Sequence, residues 1–162
     1  MFTSKSWKRS QHDYGFINAS TCGQKFYHIL NTPFTYKFKV DDSLTDDYGH
    51  VNNARYLDLY EDARWQILEN SGLGEDVVRK NMVGPVILEV TVRFSRELLP
   101  GEEITIYTSS RRKNDIIFYF DQEMINSEGK IASKATFTAA LFDLKRRKMI
   151  RPDDQWIKAF GC

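Results

Sequence analysis

The densest group of chemically capable side chains in this sequence is Thr45 to Tyr56, reading TDDYGHVNNARY. Two carboxylates (Asp46, Asp47), an imidazole (His50) and two carboxamides (Asn52, Asn53) stand directly before a segment with helical spacing. The start of a helix has backbone N–H groups without partners and the positive end of the helix dipole, so it attracts negative charge. A carboxylate on a loop aimed at such a terminus can act on a carbonyl or on water, while free N–H groups hold the oxyanion that forms. Gly49 lets the chain turn tightly and lets a ligand approach the backbone. The same residue types also build an ordinary capped loop in which His50 satisfies an interior hydrogen bond. From residue types alone both readings stand.

Other chemistries find less support. The three histidines, at positions 12, 28 and 50, and the two cysteines, Cys22 and Cys162, have no metal-ligand spacing. No metal or cofactor is therefore expected, and the cysteines read as reduced thiols of a cytoplasmic protein. No glycine-rich phosphate loop or nucleotide fingerprint is present. Lys and Arg total 23 against 22 acidic residues, a net charge of +1 that argues against a nucleic-acid binder. No apolar run reaches the length of a membrane span. Two basic clusters, Arg111-Arg112-Lys113 and Lys145 to Lys148 with Arg151, suit either coenzyme phosphates or an acidic protein face. As solvated charges at strand ends, they equally guard sheet edges.

The elements that position the Thr45–Tyr56 cluster follow from periodicity. Phe34, Tyr36, Phe38 and Val40 alternate with polar residues, which predicts a half-buried strand. Ala54 to Ser71 carries Leu57, Tyr60, Ala63, Ile67 and Leu68 at helical spacing, with Asn53 as the expected N-cap and Gly72 as the stop. Such a helix spans ~27 Å, enough to cross a sheet. Gly74 to Val83 reads as a short connection closed by Gly84-Pro85. Four further strands follow, around Val86–Phe94, Ile104–Tyr107, Ile116–Phe120 and Ile131–Leu141, with short turns between them that predict an antiparallel meander. A terminal helix started by Pro152 runs to Phe160. Apolar content of 41% and charged content of 28% are those of a globular chain. The expected organisation is an extension over 1–30, which packs on the domain or frays, and one α+β domain over 31–162 with a long helix laid on an antiparallel sheet of five to six strands. No continuous apolar stretch follows Lys5, Lys8 and Arg9, so the extension does not read as a signal peptide.

The cluster, followed by LDLYEDAR at Leu57 to Arg64, resembles the 4-hydroxybenzoyl-CoA thioesterase-like branch of the hotdog superfamily. The matching positions are Asp46, Gly49, His50, Val51, Asn52, Asn53, Tyr56, Glu61, Ala63 and Arg64, and VRFSRELLPGE at Val92 to Glu102 matches a later strand and turn. The resemblance implies a hotdog fold and hydrolysis of an acyl-CoA thioester. It implies Asp46 as nucleophile or general base, the Asn53 N–H as oxyanion donor and His50 as a site imidazole. Gly49, Asn52, Tyr56, Tyr60 and Glu61 are then expected around the substrate, with Glu61 also a secondary candidate for the carboxylate. An exposed ion pair between Glu61 and Arg64 is the plainer reading of that spacing. Related acyl-carrier-protein thioesterases have an Asn two residues after the Asp, where this chain has Tyr48. The resemblance further implies a homodimer or homotetramer with the active site at the subunit interface. An acyl-carrier-protein thioesterase and a non-catalytic acyl-binding or assembly module are the alternatives.

Overall fold

The computed structural model describes residues 33–161; the 1–30 extension and both cysteines lie outside the described residues. The first strand, β1, is Phe34–Lys39, whose alternation leaves every second residue half-buried. A single 3-10 turn, Asp42–Leu44, leads into the polar loop. Helix α1, Asn53–Asn70, follows and turns Tyr56, Leu59, Tyr60, Ala63 and Leu68 into the core. These positions recur every three or four residues, so one stripe of the helix is buried and the rest stays polar. Its end is a complete Schellman motif. Leu73 N–H reaches Leu68 O (2.8 Å), Gly72 N–H reaches Glu69 O (3.0 Å), and Gly72 takes φ +71°. Leu68 and Leu73, the two residues this motif brings together, are both buried.

The N-cap is Asn52 rather than the expected Asn53. Asn52 N–H is tied to Leu44 O at 3.0 Å and its side-chain oxygen accepts from Ala54 N–H, so the helix starts at Asn53, one residue earlier than expected. The connection after α1 is helical: α2, Glu75–Asn81. Gly84-Pro85 does not close that connection but lies inside the next strand, β2, Val83–Phe94. Proline is tolerated there because, among the described residues, β2 is an edge strand with one side free of ladder bonds.

The remaining strands are β3 (Glu103–Arg112), β4 (Ile117–Ile125), β5 (Ile131–Asp143) and the short β6 (Lys148–Ile150). All pairings are antiparallel, in the order β1-β3-β4-β5-β2, with β6 added beside β5. The meander therefore holds for β3, β4 and β5 but not for β2. From Phe94 the chain crosses the end of the sheet in segment 95–102 before β3 begins at the far side of β4. Leu98, fully buried in the core, anchors that crossing through the apolar surface it removes from water. The last element, α3 (Asp154–Phe160), is capped by Asp153, with Pro152 just ahead of the cap rather than at the first helical position. Phe160 closes the core against Phe118 (4.6 Å between ring centroids) and Phe120 (5.4 Å). A long central helix on a six-stranded antiparallel sheet is the hotdog architecture.

Candidate functional site

The polar loop is a miniature hairpin. Thr45 and Val51 form an isolated antiparallel bridge, Asp46 N–H donates to His50 O (3.0 Å), and Gly49 N–H donates to Asp46 O (2.9 Å). With Gly49 at φ +80°, this is a turn followed by a left-handed glycine, a standard way of closing a three-residue hairpin. The turn between β4 and β5 repeats the pattern. There Gly129 (φ +74°) donates to Asn126 O and Asn126 donates to Lys130 O.

Asp46 is half-buried, while its neighbour Asp47 is exposed, so the two carboxylates sit in different surroundings. Oδ1 of Asp46 accepts from Tyr48 N–H at 3.0 Å, and Oδ2 accepts from Asn52 Nδ2 at 3.2 Å. Asn126 makes the corresponding side-chain bond in the twin turn, accepting from Glu128 N–H at 3.2 Å. An amide thus suffices to build this turn, and the carboxylate at position 46 is not explained by turn geometry.

The loop is braced from outside by the crossing segment. Val51 N–H donates to Leu98 O (2.9 Å), Val40 N–H to Glu102 O (2.9 Å), and the Tyr56 hydroxyl to Arg96 O (3.3 Å). His50 Nδ1 lies 3.4 Å from Glu97 Oε2, and its ring stacks with that of Tyr48 at 6.0 Å. Tyr48 itself is 86% exposed. Asn53, the first residue of α1, is exposed, and its N–H is among the groups a helix leaves without an internal acceptor.

Asp46, Gly49, His50, Asn52 and Asn53 are therefore gathered in one hairpin and the helix start beside it. The other expected site residues lie elsewhere. Tyr56 is buried against Phe94 (5.0 Å, edge to face), and burial raises its hydroxyl to a pKa of about 12. Tyr60 is fully buried and packs edge-on against Phe137 at 5.7 Å; burial likewise pushes its hydroxyl above the usual tyrosine range. Glu61 is exposed two turns further along α1, beside a shallow open groove that Arg64, Trp65, Ile87, Phe120 and Phe160 also line.

Arg64 does not form the exposed pair with Glu61 that the spacing favours. Its guanidinium turns between helix and sheet, donating to Gln122 Oε1 at 2.7 Å and lying 4.0 Å over the Phe137 ring. Burial lowers its pKa to about 10, although Glu61 nearby acts in the opposite direction. Gln122, itself buried, uses its amide N–H groups on Tyr60 O (3.2 Å) and Thr108 Oγ1 (2.9 Å). The sequence reading missed Glu97, the Leu98 carbonyl and the Gln122 network. Glu97 and Leu98 lay in a stretch read as a turn, and a lone polar residue within β4's apolar alternation was the only mark of Gln122.

Among the described residues no helix is long and apolar enough to cross a membrane. Residues 40–160 match the model of the thioesterase-like superfamily. The chain is similar to the long-chain acyl-CoA thioesterase FadM of Escherichia coli (strain K12), with 30% identity over 115 residues covering 70% of this chain and 86% of that protein. It is also similar to the chloroplastic acyl-acyl carrier protein thioesterase ATL3 of Arabidopsis thaliana, 29% identical over 85 residues, 52% of this chain and 45% of ATL3. The chain thus spans less than half the length of that relative. Among solved structures, SAV2348 of Staphylococcus aureus, determined in complex with CoA, shares the fold with a TM-score of 0.75 at 15% identity, covering 83% of this chain and 85% of that one. A helix wrapped by an antiparallel sheet and a family match spanning nearly all of it lead to one assignment: the chain belongs to the hotdog-fold thioesterase-like superfamily, whose general activity is hydrolysis of acyl thioesters.

Proposed function

We propose that this protein hydrolyses an acyl-CoA thioester to a free acid and CoA, with Asp46 as the catalytic carboxylate. The observation that carries this reading is a carboxylate held at both oxygens beside the N-terminus of α1, where a turn alone would accept an amide. Two routes balance. In one, Asp46 attacks the carbonyl carbon, the C–S bond breaks, the thiolate takes a proton from solvent, and water hydrolyses the resulting anhydride. In the other, Asp46 takes a proton from water as that water attacks, and passes it to the departing thiolate. In both, negative charge on the carbonyl oxygen is met by the Asn53 N–H and the positive end of α1. His50, Gly49 and Asn52 complete the loop. Tyr56 and Tyr60 support the helix from inside the core, and Glu61 stands at the groove beside it.

FadM, a long-chain acyl-CoA thioesterase, supports CoA as the carrier and an extended acyl group as the cargo. ATL3 keeps an acyl-carrier-protein substrate as the second reading. We also propose that two copies pair through β2. This edge strand leaves Ile87, Leu88, Val90 and Phe94 between 40% and 49% exposed, an apolar edge that an isolated chain would be expected to guard with charge. A two-fold pairing runs the two strands antiparallel. It would set the partner's Val83 end, with Arg79, Lys80 and Lys145 near it, beside the Asp46 end of this subunit, as a phosphate-bearing carrier needs.

The test is thiol release from octanoyl-, palmitoyl- and benzoyl-CoA and from palmitoyl-acyl carrier protein, with Cys22 and Cys162 blocked, for wild type and Asp46→Asn. Asn126 shows that the turn accepts an amide, so the variant is expected to fold normally and to lose at least a hundredfold in kcat. Undiminished turnover in the variant would exclude Asp46, and turnover on the carrier protein alone would select the second reading.

A further inference from the structure

We propose that Asn52 is a positioning residue that fixes the Asp46 carboxylate to the N-terminus of α1, and that it does not itself contact substrate; this rests on the catalytic reading of Asp46. Each polar atom of Asn52 has a partner. Its N–H donates to Leu44 O (3.0 Å) and its C=O accepts from Arg55 N–H (2.9 Å). Its Oδ1 accepts from Ala54 N–H (2.9 Å) and its Nδ2 donates to Asp46 Oδ2 (3.2 Å). The orientation of the amide is settled by its neighbours. A flipped amide would set N–H against the Ala54 N–H and oxygen against a carboxylate, losing both bonds.

One planar group therefore links the carboxylate to the helix cap across a fixed span. Tyr48 N–H holds the other oxygen within the turn. With Oδ1 tied to the hairpin and Oδ2 tied to the helix, rotation of the Asp46 side chain is blocked from both sides. The carboxylate is thereby kept in register with the first free N–H groups of α1. Alignment of attacking group and oxyanion donor to within fractions of an ångström is what such catalysis requires. Helix capping and carboxylate positioning are separable, because capping needs only the oxygen and positioning needs only the N–H.

Asn52→Ser retains a cap acceptor on a shorter side chain and removes the amide N–H that reaches Asp46 Oδ2, Asn52→Asp retains the cap and replaces that N–H with a like charge, and Asn52→Ala removes both cap and donor. Thermal unfolding, with kcat and KM measured separately for palmitoyl-CoA hydrolysis, separates the roles. Asn52→Ser is expected to keep a near-native melting temperature and KM while kcat falls about tenfold. Asn52→Asp should lower kcat further, because a like charge then faces the carboxylate, and Asn52→Ala should add a loss of stability. The other charged groups around the loop are Asp47, His50, Glu97, Arg96 and the exposed Arg55–Asp58 pair on α1. All are unchanged in these variants, so a fall in kcat at constant KM reports on Asp46. Loss of activity in Asp46→Asn beside a native kcat in Asn52→Ser overturns the positioning role alone. Full activity in Asp46→Asn overturns the catalytic reading and this inference with it.

Discussion

At the scale of single residues, the informative side chains are those whose surroundings contradict their type. Tyr56, expected beside the substrate and standing at the end of a polar stretch, is buried with its hydroxyl on Arg96 O and a pKa raised by burial to about 12. In the unfolded chain a tyrosine ionises near 10. The neutral hydroxyl therefore contributes its full stability below about pH 10, and that contribution is lost as pH rises through about 12. Chemical unfolding followed by circular dichroism from pH 8 to 12 should show this fall. Tyr56→Phe should flatten part of it while costing about 1 kcal/mol at neutral pH for the lost hydrogen bond. An identical slope in the variant would show that Tyr56 does not titrate with folding. Asp46 and His50 could be singled out from the sequence because acid, imidazole and glycine stand together before a helix. The separate duties of Asn52 and Asn53 could not, since adjacent residues of one type differ only in which is held outside the helix, and Leu44 O decides that.

Whole elements were legible in proportion to the length of their pattern. The eighteen residues of α1 and the alternation of β1 were placed to within a residue or so, because long runs of apolar spacing leave no competing fold for them. The beginning of β2 was not, because Gly84-Pro85 has the composition of a turn. Its glycine serves closeness instead: a Cβ at Gly84 would come 2.7 Å from Val78 Cγ1, so α2 sits directly against the strand. Valine is branched at Cβ and cannot swing that methyl away. Gly84→Ala should therefore destabilise by about 1–3 kcal/mol through overpacking. Val78→Ala added to it should recover much of the loss, the double variant being more stable than Gly84→Ala in urea titration. Additive losses would mean that the two positions do not share this contact. The crossing of segment 95–102 also escaped the sequence, because turn residues such as Pro100-Gly101 mark where a chain bends and not where it goes next.

For the whole molecule, the open question in the fold is its apolar edge. If β2 is the seam between copies, Leu88→Lys with Val90→Lys should convert a dimer or larger assembly into monomers at micromolar concentration by sedimentation, and hydrolysis should fall with it. A wild-type chain that sediments as a monomer would remove the pairing from the proposal. The sheet order carries a second consequence, which concerns time. Val51 is locked by Leu98, and Val40 by Glu102, across the crossing that separates β2 from β3. A chain emerging from the ribosome has thus displayed every polar residue of the loop, and all of α1, long before the residues that hold the loop in place exist. Because contacts distant in sequence close late, refolding should restore helix content first and order around the Asp46 carboxylate afterwards. A synthesis product halted before Leu98 would carry the whole motif without its bracing.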